Sequence, residues 1–279
     1  MPKKKKIYRA AAPVRPAPNG NETVRIGWLD LARGAMAATG LDEFLDGMKR
    51  AQGAPLSAEA AALVACSAEM TGVSLSRLDR MLEGGAAREE HGLGGSSAKS
   101  LYRAVERLGR CSDEIVAFLG ESLKARFGVA MGTVMVDWTS MYFEAPARGI
   151  VRFGYSRDRR PDRPQVTVGV AMDAASGMPV GLTVNPGNTV DATHFADTFA
   201  RIRPLLREGA VAVFDSGAYS MENARVLDEA GFGFVTRAKL NASDAAAALD
   251  PGAPWISDGG LPRLEIDGNL GRRRYLFCD

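Results

Sequence analysis

Residues 133–144 read TVMVDWTSMYFE, and residues 210–215 read AVAVFD. Both are rich in Val, Met and aromatic side chains over the span of one strand. An aspartate follows each apolar run. Asp137 comes after Val134, Met135 and Val136, and Asp215 after Val211, Val213 and Phe214. Around them lie VTVGVAMD (166–173), an Ala-Ala-Ser-Gly turn at 174–177, MPVGLTV (178–184) and FGFVTR (232–237). The turn makes the second and third strands a hairpin. A helix from Asp191 sets Phe195, Phe199, Ile202, Leu205 and Leu206 on one face. Ser220 opens another, MENARVLDEAG, with Gly231 at its C-terminal end. The predicted order is therefore three antiparallel strands, helix, strand, helix, strand. Residues 241–260 read as a loop, and LPRLEID and RRRYLFCD as two later strands.

The period upstream is helical, over 23–127. Leu41, Phe44, Leu45 and Met48 recur at helical spacing. A second helix has Ser57 as its expected N-cap and Glu59 in its first turn. Thr71-Gly72-Val73 interrupts it, and a third helix follows from Ser74. This pair, 57–83, reads either as a DNA-binding helix-turn-helix offering Arg77 and Arg80 or as a plain packing unit. Gly84, Gly85, Gly92, Gly94 and Gly95 mark a loose connection. Two more helices follow. One carries Leu101, Val105 and Leu108. The other, from Ser112, buries Ile115, Val116, Leu119, Leu123 and Phe127.

Composition narrows the chemistry. Two histidines, His91 and His194, leave little room for a zinc hydrolase or a histidine-based triad. Three widely spaced cysteines form neither a CxxC site nor a disulfide framework. No apolar run approaches the roughly 20 residues of a membrane span. The start lacks the apolar core of a secretory signal, so the expected location is the cytoplasm, away from membranes. Catalysis is expected to rest on carboxylates. The net charge of +2 is uneven. Residues 1–20 carry Lys3, Lys4, Lys5, Lys6, Arg9 and Arg15 and no acid. Residues 1–22 thus read as a basic disordered tail or a phosphate-binding arm.

The strand order alone suits several α/β folds; one is the ribonuclease H-like mixed sheet, in which the first strand is central and pairs in parallel with the fourth. An all-α domain over 23–128 would precede it. Parallel pairing brings Asp137 and Asp215 to one edge, at the carboxyl ends of their strands, where open α/β sheets carry their sites. Two adjacent carboxylates repel unless a cation lies between them. Mg²⁺, a hard oxygen-seeking ion, suits that place, with Mn²⁺ as a substitute. Two such ions would clamp the attacking and leaving oxygens of a phosphodiester displacement. Each aspartate taken alone also reads as a turn or helix cap.

Five blocks carry a resemblance: Asp137-Trp138-Thr139, Gly154 to Gln165, Pro186 to Asp191, Asp215 to Ser220, and FVTRAKL after them. Together they resemble the DDE transposases of bacterial and archaeal insertion sequences, in the branch with a β-rich insertion in the catalytic domain. The resemblance covers roughly 40–279. It implies Asp137 and Asp215 as catalytic metal ligands, double-stranded DNA (transposon ends and target) as partner, and a homodimer in the intact protein. It also implies a third ligand, a Glu on a helix after the fifth strand. Glu222 lies in a helix's first turn, where an acid more simply satisfies the helix dipole, and Asp244, Asp250 and Asp258 fall in expected loops. The chain is therefore expected to be an amino-terminal fragment, with 129–279 a partial catalytic domain ending inside the insertion, inactive by itself. The alternatives are a DNA-binding or inhibitory fragment and a ribonuclease H-like nuclease unrelated to transposition.

The expected DNA contacts flank the acids. Arg148, Arg152, Arg157, Arg159, Arg160 and Arg163 crowd one loop against Asp158 and Asp162. Arginine forks suit phosphate oxygens. Arg157, Arg159 and Arg160 are the leading candidates, with Asn188 after Pro186-Gly187 and with Arg237 and Lys239 after the fifth strand. Asn188 and Thr189 equally read as turn builders, the arginine loop as a solvated one, and Trp138 and Tyr142 as base-stacking or core side chains.

Overall fold

The structure, a computed structural model, describes residues 27–48, 54–69, 85–237, 242–259, 261–267 and 273–277. The basic tail, the helix expected from Ser74 with Arg77 and Arg80, Lys239 and the final Cys278-Asp279 lie outside the described residues. The chain divides into two compact units, Met1–Ser122 and Leu123–Asp279.

The first unit is helical: α1 (Gly27–Thr39), α2 (Leu41–Asp46), α3 (Leu56–Glu69), α4 (Gly85–Glu90), α5 (Ala98–Arg110) and the start of α6 (Ser112–Phe127). Leu29, Met36, Leu45, Leu56, Leu93 and Ala104 form its core. Three expectations are corrected. Ser57 is not the cap of α3, which starts one residue earlier. Its N–H and Oγ instead donate to the Asp46 carboxylate at 2.9 and 2.8 Å. The glycine-rich connection contains α4, because Ala86 to Glu90 are strong helix formers. Phe127, expected to be buried, is exposed at the end of α6, and on α5 Leu101 and Ala104 are buried while Val105 is exposed.

The second unit carries the sheet: β1 (Thr133–Tyr142), β2 (Gln165–Asp173), β3 (Pro179–Pro186), β4 (Val211–Phe214) and β5 (Gly233–Thr236). The strand order is β3-β2-β1-β4-β5. The first three strands are antiparallel, and β1–β4 and β4–β5 pair in parallel. This is the expected ribonuclease H-like order, with β1 central. The β1 pleat puts Val134, Val136, Trp138 and Ser140 inward, while Met135, Asp137, Thr139 and Met141 face outward. Helix α7 (Asp191–Ile202) covers the inward face through Phe195, Phe199 and Ile202. The Phe195 ring lies 4.7 Å from Phe214 and 6.0 Å from Trp138. Each such buried ring contributes roughly 1.5–3 kcal/mol. Trp138 is thus a core side chain, 2% exposed.

Asp137 does not end its strand. β1 runs on to Tyr142 because β2 keeps pairing with it as far as Tyr142↔Gln165. What ends there is the parallel ladder with β4, whose last pair is Val136↔Phe214. Helix α8 (Met221–Glu229) connects β4 to β5, with Ser220 Oγ capping the Asn223 N–H at 3.0 Å. The expected loop at 241–260 contains a helix, α9 (Ala242–Leu249). Its alanine run has the highest helix propensity available. Asp244 in its first turn is buried and pairs with Arg274 at 2.5 Å. β6 (Arg263–Asp267) and β7 (Arg273–Phe277) form a separate antiparallel hairpin. Among the described residues, no helix is long and apolar enough to cross a membrane.

Candidate active site

Asp137 and Asp215 each stand one residue past Val136↔Phe214, on neighbouring parallel strands. Such strands lie about 4.8 Å apart. The Asp137 side chain is 83% exposed, and its Oδ1 accepts from the Trp138 N–H at 2.8 Å. Asp215 is also exposed. Its Oδ1 accepts from the Gly217 N–H at 3.0 Å, and its carbonyl from Thr236 Oγ1 at 3.2 Å. The turn-capping reading of Asp215 is therefore realised, but it uses one oxygen only. Neither Oδ2 has a hydrogen-bond partner among the described residues.

Arg157 and Asp191 complete this edge. Arg157 Nη2 pairs with Asp191 Oδ2, and Arg157 Nη1 donates to the Trp138 carbonyl. Nη1 also lies 4.0 Å from Asp137 Oδ1, and the Arg157 N–H donates to Ser140 Oγ at 3.1 Å. A methyl placed on Gly217 would sit 2.7 Å from Asp191 Oδ2 and 3.2 Å from Asp215 Oδ1. Those two oxygens are therefore within about 6 Å of each other, which sets Asp191 beside Asp215. Asn223, buried on α8, fixes the arrangement. Its Nδ2 donates to the Ala192 carbonyl at 2.8 Å and the Ala218 carbonyl at 2.9 Å, tying the start of α7 to the turn after Asp215.

The long β1–β2 connection is locked from behind. Buried Gln165 donates from Nε2 to the Tyr155 carbonyl at 2.7 Å and the Gly187 carbonyl at 2.9 Å. A Cβ on Gly154 would overlap the Gly187 carbonyl oxygen, and one on Gly187 would overlap the carbonyls of Gln165 and Arg152. The glycines of the Gly154–Gln165 and Pro186–Asp191 blocks thus let two backbones touch.

The other DNA candidates divide. Arg159 is exposed at a positive φ of 57° and has no ion-pair partner among the described residues. Arg160 is tied down: it pairs with Asp162 at 2.9 Å, lies 3.9 Å from Glu144 Oε1 and covers the Tyr142 ring at 5.1 Å. The Asp162 hydrogen bond raises the Arg160 guanidinium above its ordinary value, and Arg160 holds Asp162 below the usual carboxylate range. Arg163 joins the same group through Glu144 at 3.0 Å. Exposed Asn188 follows the Gly187 lock. Arg237 follows Thr236, the residue bonded to Asp215.

Beneath the edge lies a buried polar chain. Trp138 Nε1 donates to Thr198 Oγ1 at 3.4 Å, and Thr183 Oγ1 lies 2.9 Å from Thr198 Oγ1 and 2.8 Å from His194 Nε2. Burial pushes the His194 imidazole from 6.5 down to about 4.

Sequence reasoning missed Asp191, Asn223, Gln165 and Ser140. Asp191 was visible in the Pro186–Asp191 block but read as a helix start. A divalent cation fits what is present. Two exposed hard carboxylates each keep an oxygen unengaged, and Mg²⁺ sites commonly hold one or two carboxylates, with waters and substrate phosphate supplying the rest. Among the described residues, no group of three or more His, Cys, Asp or Glu is placed to hold a metal.

The sheet order is that of a ribonuclease H-like mixed α/β domain. The family described as Transposase DDE domain matches residues 130–273, just over half of the chain, and the chain belongs to that family. Among solved structures it is similar to a piggyBac transposase synaptic complex with hairpin DNA, at 12% identity and TM-score 0.42, covering 88% of this chain and 60% of that one. It is similar also to a pre-cleavage Mos1 transpososome, at 12% identity and TM-score 0.27, covering 68% and 62%. A Mos1 mariner paired-end complex with Mn follows, at 12% identity and TM-score 0.25, covering 78% and 70%. The chain thus spans less than two thirds of the first two. No curated protein matches the sequence.

Proposed function

We propose that the chain is the DNA-processing part of an insertion-sequence transposase, built for phosphodiester hydrolysis and strand transfer on double-stranded DNA with Mg²⁺ or Mn²⁺ between Asp137 and Asp215. The observation that carries this reading is the placement of both carboxylates past the last pair of β1 and β4, each with one oxygen held by a backbone N–H and the other unengaged. When bound there, the ions supply charge stabilisation for the attacking and leaving oxygens. Asp137 and Asp215 hold and orient them. Arg157, Arg159, Arg160, Asn188, Arg237 and Lys239 serve phosphate oxygens, which position DNA without reading its sequence. The segment 1–22 adds a basic arm and 23–128 a DNA-end-binding domain to the catalytic unit at 129–279, which works as a homodimer in the cytoplasm.

The test is calorimetric titration with Mn²⁺. Asp137→Asn and Asp215→Asn should each weaken binding about tenfold or more, equivalent to ~1.4 kcal/mol. Undiminished binding in both variants would remove the assignment. A second reading, a chain that binds DNA or the intact enzyme without cutting, is favoured by the missing third ligand among the described residues. A supercoiled-plasmid nicking and strand-transfer assay separates the two. Cleavage abolished by Asp137→Asn supports the catalytic reading, and DNA binding without cleavage the second.

A further inference from the structure

Asp191 has no part in the reading above, yet it lies near Asp215 and is linked to Asp137 through Arg157. It opens α7, and its side chain is only 22% exposed. Its Oδ2 carries the Arg157 guanidinium on one side and lies against Gly217 beside Asp215 on the other. Two hydrogen bonds from the Asn223 side chain fix its backbone neighbourhood.

Arg157 is the second element. Its guanidinium carries a positive charge spread over a planar fork of donors. It lies 4.0 Å from Asp137 Oδ1, near enough to be attracted and beyond hydrogen-bond reach. It is a ready competitor for the carboxylate that the proposed function gives to a divalent cation. Two acceptors hold it off: the Trp138 carbonyl at Nη1 and the Asp191 carboxylate at Nη2. The carbonyl is neutral, so Asp191 supplies the charge that outweighs Asp137. Asp191 does not itself read as a ligand, since Oδ2 is engaged by Arg157 and no three-acid metal group occurs among the described residues.

We propose that Asp191 is a positioning residue: it sequesters Arg157 from Asp137, which leaves Asp137 open to the divalent cation while the guanidinium stays at the edge where a phosphate would lie. The inference rests on the reading of Asp137 and Asp215 as a metal pair. It makes opposite predictions for the two partners. Losing Asp191 frees Arg157 to close onto Asp137 and should hinder the cation. Losing Arg157 removes a competing positive charge and should not.

The experiment is a double-mutant cycle read by Mn²⁺ calorimetry on the parent chain, Asp191→Asn, Arg157→Ala and the double variant, with circular dichroism to check folding. Asp191→Asn should weaken Mn²⁺ roughly tenfold. Arg157→Ala should bind as tightly as the parent or more tightly, and the double variant should match Arg157→Ala. Asp191→Glu, which keeps the charge, should recover most of the parent affinity. Parent-like affinity in Asp191→Asn would overturn the proposal and leave Asp191 a helix-start residue. A loss that persists in the Arg157→Ala background would overturn it in favour of direct ligation. If Asp191→Asn does not fold, Arg157→Ala decides alone, and weaker binding there overturns the proposal. Those outcomes leave the metal pair standing. Mn²⁺ uptake that is absent from the parent, or indifferent to Asp137→Asn and Asp215→Asn, overturns the metal reading and this inference together.

Discussion

Asn223 and Ala192 are joined by a 2.8 Å hydrogen bond that links the start of α7 to the start of α8, and the same amide nitrogen reaches Ala218 in the turn after β4. The bond sets Asp191 beside the turn that holds Asp215, although the two aspartates are 24 positions apart in the chain, across helix, connection and strand. The edge is therefore assembled from four places: β1, the β1–β2 connection, the head of α7 and the end of β4.

The arginine connection should contribute unequally to DNA affinity. Arg159 has no ion-pair partner among the described residues, whereas Arg160 is held by Asp162 and Glu144. Arg159→Ala should lower the log–log salt slope of DNA binding by roughly 0.9, one phosphate contact. Arg160→Ala should lower it by less, because its guanidinium must give up Asp162 and Glu144 to reach a phosphate. Equal slope losses from both would show that the Arg160 ion pairs open when DNA arrives.

The glycine lock should be felt in stability. Gly187→Ala drives a methyl into the backbone carbonyls of Gln165 and Arg152. Overpacking of this kind costs about 1–3 kcal/mol. Exposed Asn188→Ala, next in the chain, should stay within roughly 0.5 kcal/mol of the parent. Chemical denaturation of both variants checks the contrast, and equal stabilities would mean that the two backbones are free to separate.

His194 sets an acid limit. Burial holds its imidazole neutral, at about 4 against 6.5 for the ordinary side chain. The folded value is the depressed one, so the contribution is complete above pH 6.5 and is lost as pH falls through about 4. Its size is roughly 2–4 kcal/mol. Urea denaturation between pH 7 and pH 4 should show the parent losing that much more stability than His194→Gln. Parallel pH profiles would place the acid sensitivity elsewhere.

The sheet was largely legible in the sequence because its strands alternate cleanly and the Ala174–Gly177 turn is local. The two metal-pair candidates were legible for the same reason, each following an apolar run. The run of β1 past Asp137 was legible from the alternation of 133–144, but the end of its parallel ladder with β4 at Val136↔Phe214 was not, because periodicity does not show partners. Helix α9 was hidden by flanking Pro and Gly, although its Ala run forms a helix. The Arg157–Asp191 pair was out of reach. It spans 34 positions and depends on backbone contact between Gly154 and Gly187, which spacing alone does not reveal.

The most direct test of the metal pair is an anomalous-difference map from a crystal of the chain grown with Mn²⁺. The expected result is a peak within about 2.0–2.6 Å of carboxylate oxygens from both Asp137 and Asp215, the range for hard cations on oxygen, with Arg157 still on Asp191. A map with no peak at that edge, or with its peak on other residues, would contradict the assignment.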